Sequence, residues 1–82
     1  MVAYGEALAM RGQDDLEALA RLREVRRRWP RHPRAHEISL EIVDILVGRG
    51  LMSQARVEAV AVLRRFPDSP RADEMRRIVT AP

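Results

Sequence analysis

Four groups of side chains have the types and spacing for chemistry. Glu37, Glu41 and Asp44 lie four and three residues apart. On a helix that spacing places all three carboxylates on one side. Such a strip suits a basic or amphipathic ligand. The competing reading is a solvated face, or pairing with nearby arginines, where an exposed pair contributes only about 0–1 kcal/mol. The second group is Arg21, Arg23, Arg26, Arg27, Arg28, Arg31 and Arg34, offset only by Glu24. It could hold phosphates or an acidic protein surface. These arginines point around a helix rather than along one side, however, and their one stacking aromatic, Trp29, closes an apolar helix face and reads as core. A solvated face with local pairs is preferred, an acidic partner comes next and nucleic acid last. His32 and His36 are spaced by four, which on one helix would suit a metal. But His32 precedes Pro33 and sits outside the helix, at its cap, and the chain has no cysteine, so no metal site is expected. Ser39, Ser53 and Ser69 are the only serines. None sits on a glycine elbow, and no phosphate-binding glycine loop is present. No catalytic or cofactor-binding residue is assigned, and the reading is against an enzyme.

The elements that carry these groups are set by a phrase that occurs twice. Trp29-Pro30-Arg31-His32-Pro33-Arg34-Ala35 returns 37 residues later as Phe66-Pro67-Asp68-Ser69-Pro70-Arg71-Ala72. Proline is excluded from helix interiors but suits the first helical position, so each copy closes one helix and opens another. The apolar residues repeat in the same register: Ala18, Leu22, Val25 and Trp29 match Ala55, Ala59, Val62 and Phe66. Both sets have the four-three-four spacing of one helix face. Five helices are expected. The first is weak and covers 2–11, with a turn at Gly12-Gln13-Asp14. The second runs from an N-cap at Asp14 or Asp15 to about Arg28, the third from Pro33 to about Val47. The fourth runs from an Ser53 cap to about Arg65, and the last from an Ser69 cap, with Pro70 in its first turn, to about Val79. The third is apolar on two sides, through Ala35, Ile38, Ile42 and Ile45 and through Leu40, Val43 and Val47, and so should be sandwiched between neighbours. Gly48-Arg49-Gly50 supplies its C-cap.

Eighty-two residues make one small domain, divided as repeat 1 (about 1–34), repeat 2 (about 35–69) and a half repeat (70–82). All 15 basic residues are arginine and the net charge is only +3. Few segments alternate with period two, and no hairpin turn dipeptide occurs, so the fold class is all-α. No apolar run is long enough to span a membrane. Residues 1–10 lack the basic and apolar regions of a secretion signal, so the compartment is left open between the cytoplasm and, for an excised piece, the periplasm.

Residues 36–69 resemble a tetratricopeptide repeat. Gly50 sits at the family's turn glycine, Ala55 at the small residue where paired helices cross, Ala59 at the next packing position and Pro67 at the closing proline. Ser39, Val43 and Val62 depart from the pattern, and repeat 1 fits through Ala18, Leu22, Val25 and Pro30 with Gly12 one residue out of place. The Phe66-Pro67-Asp68-Ser69-Pro70 wording is also similar to repeats of bacterial cell-envelope proteins. The resemblance implies antiparallel helical hairpins in a short right-handed array that binds a peptide or partner protein on its concave face. Carried over residue by residue, that groove holds Glu37, Leu40, Asp44 and Val47, with Glu74 and Arg77 from the last helix. The Lys and Asn set of chaperone-tail-binding members is missing. Apolar ends, with Val2, Tyr4, Leu8 and Met10 at one and Met75, Ile78 and Val79 at the other, would favour a homodimer or docking onto further repeats. The expected function is a protein–protein interaction module. The alternative is a nucleic-acid-associated or regulatory helical domain using the Arg21–Arg34 cluster.

Overall fold

Proline sets the boundaries of the helices. The computed structural model describes residues 15–81, as four helices: α1 (Asp15–Arg28), α2 (Ala35–Gly48), α3 (Met52–Arg65) and α4 (Ala72–Thr80). The described residues contain no strand. The helix expected over 2–11, its turn at Gly12 and its apolar residues lie outside the described residues. α1 stops at Arg28 because a residue preceding proline is driven out of the helical region, which removes Trp29. α3 stops at Arg65, before Phe66-Pro67, for the same reason.

The two copies of the phrase fold alike, bond for bond. The Trp29 N–H donates to the Val25 carbonyl at 2.9 Å, and Phe66 to Val62 at 2.7 Å. His32 donates to Trp29 and Ser69 to Phe66, at 2.9 and 3.0 Å. Ala35 donates to His32 and Ala72 to Ser69, again at 2.9 and 3.0 Å. The residues before α2 and α4 share one backbone conformation, φ −108° at Arg34 and −104° at Arg71. A 37-residue repeat read from letters is therefore also a repeat of main-chain geometry.

The turn between α2 and α3 is a Schellman motif. Leu51 N–H donates to the Leu46 carbonyl at 2.9 Å and Gly50 N–H to Val47 at 3.0 Å, which satisfies carbonyls that a helix end leaves unpaired. The motif requires a left-handed residue, and Gly50 has φ +72°. Leu51 packs back onto the cluster containing Leu46, the apolar contact that accompanies this cap.

Each helix packs on the next in the chain. α2 is buried on two sides, except that Val47 of the expected second face is exposed. Ile38, Ile42, Ile45 and Leu46 meet Ala18, Leu19, Leu22 and Val25 of α1 and Ala55 of α3. Val43 joins Ala59 and Val62 of α3 and Met75 of α4. Ala55 and Ala59 are fully covered, so the small residues lie where helices approach. Burying each of the large aliphatic side chains contributes about 1.5–3 kcal/mol relative to exposure.

Four expectations need correction. Trp29 is not core: it is 48% exposed, whereas Phe66, at the same place one repeat later, is partly buried against the core. Ser53 does not cap α3, which starts one residue earlier at Met52, with Leu51 in the cap position and no side-chain cap bond. The Schellman turn supplies Leu51 there directly. Pro33 and Pro70 precede their helices rather than opening them; a turn intervenes, so Ser69 accepts the Arg71 N–H at 3.2 Å instead of capping α4 itself. Met75 does not present an apolar end, since it is fully buried, and Ile78 and Val79 are half-buried against the core.

Candidate functional site

α2 and α4 build a cleft between them. It is lined by Asp44 and Val47 of α2, Met52 at the start of α3, Glu74, Arg77 and Ile78 of α4, and Ala81, with a volume of about 270 Å³. Four of the six residues expected in a groove, Asp44, Val47, Glu74 and Arg77, thus converge. The other two do not line it. Leu40 is turned partly into the core beside Val43 and Val62. Glu37 is exposed and paired with Arg34, whose Nη1 donates to its Oε2 at 2.9 Å.

The carboxylates of the cleft are held by one guanidinium. Arg71 donates from Nη2 to Asp44 Oδ1 at 2.6 Å and from Nη1 to Oδ2 at 3.0 Å. Its Nε donates to Glu74 Oε2 at 2.5 Å. Two-pronged pairing with a carboxylate uses the planar guanidinium in its best geometry. The hydrogen bond from Arg71 holds the Glu74 carboxyl below its ordinary value, and Arg77 adds to that pull. The hydrogen bonds to Asp44 and Glu74 push Arg71 further up from a value already far above neutral. The acidic strip is therefore mostly an internal ion-pair network, and the rest of the cleft is apolar, Val47, Met52, Ile78 and Ala81, apart from the exposed Arg77.

Arg71 enters the sequence reading only as part of the repeated phrase, not among the expected site residues. Its bond to Glu74 was foreshadowed, because Arg34 and Glu37 hold the same register one repeat earlier. Its bond to Asp44, 27 residues away, depends on packing α2 against the α4 end of the junction and leaves no local sign.

The arginine cluster divides into separate local arrangements. Arg21 pairs with Glu17 at 3.2 Å, and Arg27 with Glu24 at 2.7 Å. Arg26 makes a two-pronged pair with Glu58 of α3 at 2.6 and 2.8 Å, and the hydrogen bond to Glu58 raises the Arg26 value. Arg23 donates to Gln54 Oε1 at 3.2 Å. Arg23 and Arg26 thus stitch α1 to α3. Arg28 lies 3.8 Å from Glu24 and 5.5 Å from the centre of the Trp29 ring. Arg31 is exposed in the junction.

The histidines have different partners. His32 Nδ1 accepts the Arg34 N–H at 2.9 Å, the position Ser69 fills with its hydroxyl one repeat later. His36 Nε2 and Ser69 Oγ share a hydrogen bond of 2.7 Å, and the His36 ring stacks on Phe66 at 4.7 Å. Both histidines lie in junction packing, and they do not converge. Among the described residues no helix is long and apolar enough to cross a membrane. No family model, no curated protein and no solved structure matches this chain.

Proposed function

We propose that this chain is a short tetratricopeptide-like array of helical hairpins that works as a protein–protein interaction module. The cleft between α2 and α4 carries the reading. It has an apolar floor of Val47, Met52, Ile78 and Ala81 under a charged rim. In the resemblance these are the first helices of successive hairpins, the ones that face a ligand. Its 270 Å³ is smaller than the roughly 300–1,000 Å³ of sites for small molecules. It fits one anchoring side chain of a bound segment better than a cofactor. The repeated junction geometry and the covered Ala55 and Ala59 support the stacking.

The ion-pair network changes which contact would hold a partner. Asp44 and Glu74 are committed to Arg71, so an apolar anchor beside Val47 is expected in place of a row of basic residues. Asp44→Lys would break the network and is a poor probe. Val47 is 39% exposed and can be changed without touching the core. Peptides selected from a random display library against the chain are expected to share an aliphatic or aromatic anchor and to lose binding on Val47→Asp. Selection that enriches no peptide, or peptides indifferent to Val47→Asp, would defeat the reading.

A further inference from the structure

The two junctions have the same backbone but different ring environments. In the second, Phe66 has two ring partners: the His36 imidazole stacks on it at 4.7 Å with the planes 30° apart, and the Arg65 guanidinium lies 5.2 Å from its centre. In the first, Arg28 occupies the equivalent of Arg65, 5.5 Å from the centre of Trp29. The position 37 residues before His36 lies outside the described residues; the indole itself is 48% exposed. The second junction thus shows what this geometry accommodates on the open face, namely a flat heteroaromatic ring.

The surroundings of Trp29 are cationic. Arg65 donates to the Pro30 carbonyl, which brings the end of α3 against the α1–α2 junction. Arg64 and Arg65 therefore join Arg28 and Arg31 at one end of the fold, all four exposed. The nearby carboxylates are mostly engaged: Glu24 by Arg27 and Arg28, Glu37 by Arg34, Glu74 by Arg71 and Asp73 by Arg76. Asp68 is the remaining counter-charge of the junctions.

We infer that this end of the fold, Trp29 with Arg28, Arg31, Arg64 and Arg65, binds single-stranded nucleic acid, one base stacking on the open face of the indole while the guanidiniums hold flanking phosphates. A stacking platform within a basic surface is the recurring design for single-strand binding without strong sequence preference. The surface differs from the sequence cluster: Arg21, Arg26, Arg27 and Arg34 are held in ion pairs of 3.2 Å or less, Arg28 reaches Glu24 only at 3.8 Å, and Arg64 and Arg65 come from 37 residues further on. It lies apart from the cleft between α2 and α4.

Trp29 is the only tryptophan, so its fluorescence reports stacking directly. The chain is titrated with an oligothymidylate of about 12 nucleotides, within the usual single-strand site sizes, and followed by tryptophan quenching and by anisotropy of a labelled strand. Quenching is expected. With three or four phosphate contacts, affinity should fall about 20- to 50-fold between about 50 and 200 mM salt. Trp29→Ala should weaken binding about 5- to 150-fold, Trp29→Phe much less, and Arg31→Glu or Arg64→Glu should lower both affinity and salt slope. All three positions are exposed, and circular dichroism verifies that each variant remains helical. The proposal is overturned if low-salt titration leaves Trp29 unquenched or if Trp29→Ala binds like the parent. It is equally overturned if a polyglutamate peptide or phosphatidylglycerol vesicles bind as tightly with the same dependence on Trp29.

Discussion

Gly48 and Gly50 sit two residues apart at the end of α2, and alanine should act oppositely at the two positions. A β-carbon added to either meets nothing within 4 Å. Sterics therefore drop out and only the backbone conformation decides. Gly50 has φ +72°, where an L-residue is disfavoured by about 1–2 kcal/mol. Alanine recovers part of that, about 0.4–1 kcal/mol, by narrowing the unfolded ensemble. Gly50→Ala is thus expected to destabilise by about 1 kcal/mol, and Gly50→Val by more because of its β-branch. The cause is the dihedral angle, not a blocked turn. Gly48 closes α2 without a positive φ, so Gly48→Ala should stabilise by about 0.5 kcal/mol, the helical preference of alanine over glycine. For a domain of this size 1 kcal/mol moves the midpoint by about 4–8 °C. Thermal unfolding by circular dichroism, with urea titration for the free energies, separates the two signs. Destabilisation by both substitutions, or indifference to Gly50→Ala, would refute the left-handed cap and the register it gives α3.

Three further outcomes follow from the packing and the ion pairs. Arg71→Ala should cost about 1–2 kcal/mol, charged hydrogen bonds discounted for partial exposure, as read by chemical denaturation; an Asp44→Asn, Arg71→Ala double-mutant cycle should return a coupling between the two sites. Because Glu74 has its folded value held below 4.5 by Arg71, its contribution is complete above the unfolded value and disappears as pH falls through the folded one. Denaturation midpoints should therefore decline below about pH 4.5 in the parent, and less steeply in Arg71→Ala. Arg71 itself stays protonated across this range and adds no pH dependence. Ala55→Leu, at a fully buried crossing, should destabilise by about 1–3 kcal/mol through overpacking, and loss of the folded baseline at lower urea would register it.

The helices were readable because their limits are local. Pro30 and Pro67 act on the residue before them, and Gly50 is the one residue suited to its dihedral angle, so α1, α2 and α3 end where the letters place those residues. The apolar spacing of Ala18, Leu22 and Val25 likewise identified side chains that are buried. The same spacing failed at Trp29, which is half exposed, but held at Phe66, partly buried at the same place after α3, so burial there depends on tertiary packing and not on the helix limit. Ser53 was misjudged for a related reason: cap preference is a weak local bias, and the Schellman turn had already delivered Leu51 to the start of α3. The groove was legible as positions but not as chemistry. Asp44, Val47, Glu74 and Arg77 meet, yet the charge state of their surface was decided by Arg71, through contacts that only the stacking of α2 and α4 creates.

The internal repeat offers a way to separate what holds the fold from what is available for binding. Where both junctions use the same bonds, as in the chain from Trp29 to Ala35 and from Phe66 to Ala72, the residues serve stacking, and even a histidine and a serine are interchangeable as acceptors of the next amide. Where they differ, the difference has no counterpart in the backbone and requires its own explanation. Phe66 is covered by His36; Trp29 is open. Arg65 is anchored on the Pro30 carbonyl; Arg28 has only Glu24, at 3.8 Å, and the indole. The half-exposed indole, set among Arg31, Arg64 and Arg65, leaves ring surface on which a ligand's ring would stack as the His36 imidazole stacks on Phe66.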